Sequence, residues 1–141
     1  MLLHIVARGK IGRSLEADLV ERYLKRIAWP TKVTELSDRG GKMLPEHAPN
    51  SVTVVLDERG KALSSTGLAK KLEDWRDGGK REARFLIGAA GGHDDEQRRG
   101  ADLLLSFGPA TWPHLLVRAM LAEQLFRATS ILANHPYHRE G

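Results

Sequence analysis

The densest chemistry in the chain lies at its end, in Asn134-His135-Pro136-Tyr137-His138-Arg139-Glu140. These side chains hydrogen-bond, stack on flat rings or titrate near neutrality. Such a tail either serves a reaction or only locks a dimer. Two upstream stretches could hold a ligand. Gly88-Ala89-Ala90-Gly91-Gly92 is glycine-rich, so its backbone can approach a ligand closely or take positive φ. It matches neither G-x-G-x-x-G nor a P-loop, and a plain βα turn reads the same way. Ser106-Phe107-Gly108-Pro109-Ala110-Thr111-Trp112 offers two flat faces around small-sided backbone. Such a loop can clasp an adenine by stacking and main-chain hydrogen bonds. The alternative is that Phe107 and Trp112 are core residues.

Other constellations fall away. His4, His47, His93, His114, His135 and His138 lack metal-ligand spacing, and no third ligand stands near His135 and His138, so no metal is expected. There are no cysteines, which removes disulfides and thiolate sites and suits a cytosolic setting. Ser64, Ser65 and Ser106 occupy no nucleophile elbow. Asp94-Asp95-Glu96 reads as a helix N-terminus.

The elements that must position these groups alternate between strand and helix patterns. Strands are expected at Leu2 to Arg8, Val33 to Leu36, Ser51 to Asp57, Ala83 to Ile87 and Asp102 to Leu105. Val52-Thr53-Val54-Val55-Leu56 is continuous enough for burial on both faces of a parallel sheet. A turn is expected at Glu58-Arg59-Gly60-Lys61. Helices are expected from Leu15 to Arg26, with Ser14 as N-cap and Leu15, Leu19, Tyr23 and Ile27 on one face, and from Gly67 to Asp77, capped by Ser64, Ser65 or Thr66. In the second, Leu68, Leu72 and Trp75 face inward, and Gly78-Gly79 stops it. A short helix follows at His93 to Arg99. The last helix runs from about Trp112 to Leu132, capped by Thr111 with Pro113 in its first turn. The polar interval Ser37 to Asn50 reads as a surface loop whose Arg39 and Lys42 could meet a phosphate backbone. The order is β-α-β-β-α-β-α-β-α, an α/β fold with a largely parallel sheet. In open sheets of this kind ligands bind beyond the strands' carboxyl ends. That singles out Leu56-Asp57, the Gly88 loop and the Phe107–Trp112 loop.

Apolar residues surround the last helix, where a surface helix carries one stripe. The excess calls for a second apolar partner, most simply another copy of the chain in a homodimer; the alternative, a fully central helix, has little room in a chain of this length. At 141 residues the chain makes one domain, 1–141, large enough for a real core, with no stretch apolar enough to span a bilayer. The formal net charge of +4 and pI near 9.6 suit a polyanionic partner.

Phe85-Leu86-Ile87-Gly88, Thr111-Trp112-Pro113-His114, Leu116-Val117-Arg118, Leu121 to Ala128, Ser130-Ile131 and Asn134 to Arg139 also fall in the order and spacing of one family. Together they resemble the RlmH family, the large-subunit rRNA pseudouridine-N3-methyltransferases. Residues 1–56 resemble it more loosely. The resemblance implies a SPOUT methyltransferase fold with a C-terminal deep trefoil knot, S-adenosylmethionine as cofactor and a cytoplasmic homodimer. The implied reaction is methylation of N3 of pseudouridine 1915 in 23S rRNA of the assembled ribosome. It also implies cofactor contacts at Leu56, Gly88, Phe107, Gly108, Pro109, Ala110, Thr111 and Trp112. Glu123, Arg127, Tyr137, His138 and Arg139 fall at positions near the methyl-transfer site. In the implied chemistry His138, or Glu123 relayed by Arg127, assists loss of the N3 proton. Arg127 and Arg139 hold phosphate or developing negative charge, and Tyr137 stacks on the extruded base. The family's usual Gly-Pro-Glu-Gly after Ile-Gly is Ala89-Ala90-Gly91-Gly92 here, without its carboxylate. A rival of another class is an RNA-binding module of the same fold that has lost transfer. A third is an unrelated α/β nucleotide-binding protein.

Overall fold

The computed structural model describes residues 1–37, 48–88 and 95–139. The Arg39 and Lys42 loop, the Ala89–Gly92 loop, the start of the short helix at His93 and Glu140 lie outside the described residues. The elements are β1 (Leu2–Arg8), α1 (Leu15–Arg26), β2 (Thr31–Leu36), β3 (Ser51–Ala62), α2 (Ser65–Asp77), β4 (Glu82–Ile87), α3 (Asp95–Arg99), β5 (Leu103–Ser106) and α4 (His114–Leu132). The strands form one sheet in the order β2-β1-β4-β3-β5, with every pairing parallel. This is the expected alternation, with shifts at the ends of elements.

Strand alternation decides what each face buries. Leu3, Ile5 and Ala7 of β1 join Val52, Val54, Phe85 and Ile87 in the main core. Leu68 and Leu72 of α2 and Leu121 and Leu125 of α4 pack on that face. On the opposite face Val6, Val55 and Leu86 meet Leu36, Ala101 and Leu104. The same face buries a polar group: His4 Nδ1 lies 2.9 Å from Glu82 Oε2, and His4 Nε2 lies 2.7 Å from Thr34 Oγ1. Arg84 Nε donates to the same Glu82 oxygen.

α1 begins as expected, with the Ala17 N–H donating to Ser14 Oγ at 3.1 Å. Leu15, however, is 80% exposed, since it stands on the first turn beyond reach of the core. α2 is capped by Ser64, whose Oγ accepts from Gly67 N.

Three expectations change. β3 does not end at Asp57: it pairs with β5 through Leu56↔Leu105, slips, and pairs again at Lys61↔Leu105 and Ala62↔Ser106. Glu58-Arg59-Gly60-Lys61 is therefore an irregularity inside a long strand, of the kind that re-aims side chains beside sites. Gly60 permits it, because a Cβ there would lie 2.6 Å from the Leu104 carbonyl carbon and oxygen. Secondly, α4 starts at His114 with Pro113 at its N-cap and no side-chain cap. Thr111 is not the cap; its hydroxyl donates to Glu58 Oε2 at 2.8 Å. Thirdly, α4 finds its second apolar partner within the chain. Ala119 and Ala122 pack on Val20 of α1, with Leu19, Tyr23 and Leu24 around them. The central position thus accounts for much of the helix's all-round apolarity, leaving Leu115, Leu116 and Met120 half-buried.

Candidate active site

The three strand ends singled out by sequence meet in one cavity of about 700 Å³. Leu56 reaches it from β3, Gly88 from the end of β4, and Phe107, Gly108, Ala110, Thr111 and Trp112 from the loop after β5. Of the residues expected to hold a cofactor, Pro109 alone is absent from the lining. Phe107 is half-buried and packs on the main core, whereas Trp112 is 43% exposed. The two readings of these aromatics thus divide between them.

The loop is braced by local bonds. Gly108 has φ +104°, a left-handed conformation costly for any side chain. Its N–H donates to Ser106 Oγ at 3.0 Å, and the Trp112 indole N–H donates to Phe107 O at 3.4 Å. The Thr111–Glu58 bond ties the loop to the irregular part of β3.

That part of β3 brings in groups the sequence did not single out. Asp57, Glu58 and Arg59 line the cavity, as do Arg98 and His114. The Asp57 carboxylate accepts from the Arg59 N–H at 2.8 Å and from Arg98 Nε. Burial pushes the Asp57 carboxyl up, yet these bonds outweigh it and hold the group below the ordinary carboxylate range. The Gly60 signal was visible, but it reads as a turn because nothing local announces pairing with β5.

A second cluster forms where the tail folds back on α4. Asn134 has φ 57°, and the His135 N–H donates to Ser130 O at 2.9 Å while the Asn134 N–H donates to Ile131 O at 3.1 Å. This is a Schellman ending, with Asn in the place glycine usually takes. It turns the chain so that Tyr137 packs on Phe126, with ring centroids 4.5 Å apart. The Arg127 guanidinium sits 4.8 Å over the Tyr137 ring. Glu123 Oε1 accepts from Arg127 Nε at 2.7 Å and from Tyr137 Oη at 3.3 Å. Arg127 Nη1 lies 3.1 Å from His138 Nδ1. Glu123, Arg127, Tyr137 and His138 are thus brought together, while Arg139 is exposed beyond them.

The chemistry of this cluster follows from its donors. Arginine only donates, so His138 Nδ1 must accept, and a neutral ring then carries its proton on Nε2. Hydrogen bonding to Glu123 raises the Arg127 pKa, so the guanidinium stays charged. Burial, then a bond with Tyr23, pushes the Tyr137 phenol up, so it stays neutral. Tyr23 belongs to the cluster although its spacing marks only the inner face of α1. Among the described residues there is no group of three or more acidic, histidine or cysteine side chains placed to hold a metal.

A parallel α/β sheet with a looped cavity at its carboxyl edge and a polar cluster on the last helix suits a group-transfer enzyme, and the profile described as "Predicted SPOUT methyltransferase" matches residues 1–138. The chain belongs to that family, and within it to the ribosomal RNA large subunit methyltransferase H proteins. It is 70% identical over 141 residues, covering both chains fully, to the protein of that name from Rhizorhabdus wittichii. The protein of the same name from Novosphingobium aromaticivorans is 66% identical, again over the full length of both. Among solved structures, a probable methylase family protein from Haemophilus influenzae shares the fold, with TM-score 0.58 and 12% identity over 98% of this chain and 70% of that one. The chain is therefore an RNA methyltransferase.

Proposed function

We propose that the chain transfers a methyl group from S-adenosylmethionine to N3 of pseudouridine 1915 in 23S rRNA of the assembled ribosome, acting in the cytoplasm. The observation that carries this reading is the joint presence of the strand-end cavity and the Glu123–Arg127–Tyr137–His138 cluster at the family's positions. A donor with an adenine and an amino-acid tail suits the cavity's make-up. Phe107 and Trp112 give flat faces, and Asp57, Glu58 and Arg59 supply both charges. Bound there, the donor supplies a methyl group already activated on a sulfonium. The protein's task is then alignment and control of one proton.

N3 of the ring attacks well only as its proton leaves. Glu123 Oε1 is already engaged by Arg127 and Tyr137. His138 bears a proton on Nε2 in the arrangement described, so it serves better as a donor to a ring carbonyl than as a base. We therefore assign the pair Arg127 and His138 to stabilising the imide anion left when N3 gives its proton to solvent water, with Arg139 reaching the phosphate backbone. Tyr137 anchors the tail; its ring is already engaged by Phe126 and Arg127.

A homodimer fits this reading. His114 lines the cavity at the first residue of α4, whereas Arg127 lies about 20 Å further along the helix at about 1.5 Å per residue. A second copy can bring its tail cluster to this cavity, and Leu115, Leu116 and Met120 remain as half-buried apolar surface for such a contact. The family's deep knot is part of the same reading.

The test is mass spectrometry of 23S rRNA from a strain lacking the gene. The 3-methylpseudouridine should vanish and return with the wild-type chain, but not with Tyr137→Ala/His138→Ala. Modification that persists in the deletion strain refutes the assignment. Saturable S-adenosylmethionine binding by calorimetry separates an enzyme from an RNA-binding module that has lost transfer.

A further inference from the structure

The β1–α1 connection has features that neither the cavity nor the tail explains. It reads Arg8-Gly9-Lys10-Ile11-Gly12-Arg13, three cations and no acid. It is also held with unusual firmness from beneath. Arg118 of α4 is 1% exposed, yet its guanidinium is spent on this loop: Nη2 donates to Gly9 O at 3.1 Å, and Nη1 to Glu35. The same Glu35 oxygen accepts from the Ile11 N–H at 2.8 Å. Gly9 and Gly12 take φ of 91° and 60°, so the loop turns sharply at both ends of the Lys10-Ile11 pair. Taking the Arg118 guanidinium out of water is costly unless its bonds are well made, and the Glu35 carboxylate and the Gly9 carbonyl supply them. Here the ion pair fixes a loop whose outward side chains, Lys10 and Arg13, are exposed.

The position of the loop supplies its meaning. Ala7 pairs with Ile87, so Arg8 and Gly9 leave the sheet beside Gly88, one strand spacing of about 5 Å from a residue that lines the cavity. The loop therefore leaves the sheet one strand away from the edge of the cavity at Gly88. The acids that follow, Glu16 and Asp18, belong to the first turn of α1, where they complement its dipole. Near neutral pH, rigid exposed cations beside a reacting site match a polyphosphate backbone, which contributes affinity and register without base sequence.

We propose that residues 9–13, fixed by Arg118 and Glu35, form a phosphate-backbone contact for the RNA one strand away from the cavity. This rests on the rRNA reading above. The test is Lys10→Glu/Arg13→Glu, with Lys10→Ala/Arg13→Ala beside it, assayed for ribosome binding without cofactor, for methyl transfer, and for S-adenosylmethionine affinity, melting temperature and sedimentation. Expected are unchanged cofactor affinity, melting and sedimentation, with ribosome binding weakened roughly tenfold at about 0.1 M salt. The log–log salt dependence should be shallower by about 1.5, at about 0.7–0.9 per lost phosphate contact. Unchanged ribosome affinity and salt slope overturn the proposal, and so does a changed oligomeric state, which would make the loop a protein interface. Wild type that binds ribosomes but transfers no methyl refutes the function proposed above and leaves the loop standing. Wild type that binds no ribosome refutes both.

Discussion

Arg127 is the hub of the tail cluster: two of its nitrogens sit on Glu123 of the same helix, one reaches His138, and its flat face lies over Tyr137. Lysine can keep the charge at this position but not the fork, so it cannot hold Glu123 and His138 together while covering a ring. Arg127→Lys should leave S-adenosylmethionine affinity within twofold and lower single-turnover methylation of ribosomes by about 10- to 100-fold, the size of losing one charge-assisted hydrogen bond at about 1.5–3 kcal/mol. Undiminished turnover would assign the cluster to structure alone. The i, i+4 spacing of Glu123 and Arg127 is legible in the sequence, as is the density of the tail. Their union is not, since it depends on Asn134 taking a left-handed turn and on Tyr137 finding Phe126 across that turn. Asn followed two residues on by Pro136 was the available signal for a helix ending of this kind.

At the scale of elements, the sequence is most legible where hydrophobic pattern alone decides, as in β1, β4 and α1, and least where one element answers another at a distance. β3 carries the clearest example. Gly60 reads locally as a turn residue, yet its role is to let β3 press against the backbone of β5 while Asp57, Glu58 and Arg59 line the cavity. Adding a single methyl there forces a Cβ to within 2.6 Å of main-chain atoms that cannot rotate away. Gly60→Ala should thus separate the β3–β5 pair, lowering stability by about 1–3 kcal/mol in urea unfolding. It should also weaken S-adenosylmethionine binding, because Glu58 then loses its hold on Thr111. A fully stable Gly60→Ala variant with wild-type affinity would show that this close approach is dispensable. Thr111 departs from its expected capping role for the same reason: its hydroxyl bonds a distant carboxylate, and α4 starts behind Pro113, which has no backbone N–H to satisfy.

For the whole molecule, the α/β class and element order follow from periodicity, whereas the strand order β2-β1-β4-β3-β5 does not, because local pattern is silent on which parallel strands become neighbours. That order places ionised carboxylates at three separated points: Glu35 under the basic loop, Asp57 at the cavity, and Glu82 in the sheet. For each, burial alone would raise the pKa. The bonds that outweigh it come from Arg118 and the Ile11 N–H on Glu35, from the Arg59 N–H and Arg98 on Asp57, and from Arg84 and His4 on Glu82. All three pKa values are therefore lower folded than unfolded, so the unfolded chain binds more protons in the acid range and stability rises with pH there. The contribution is complete above the ordinary carboxylate values near 4 and is lost as pH falls through the lower folded values. Urea midpoints should accordingly hold near neutrality and decline steeply below about pH 4.5, the ordinary glutamate value. Glu82→Gln isolates one share of this. It keeps an acceptor for Arg84 and removes the charge, so it should cost about 1–3 kcal/mol at pH 7. It should also flatten the acid decline, bringing mutant and wild type closer as pH falls. A mutant curve parallel to the wild type from pH 7 to pH 3 would mean that Glu82 is not held ionised by Arg84 and His4.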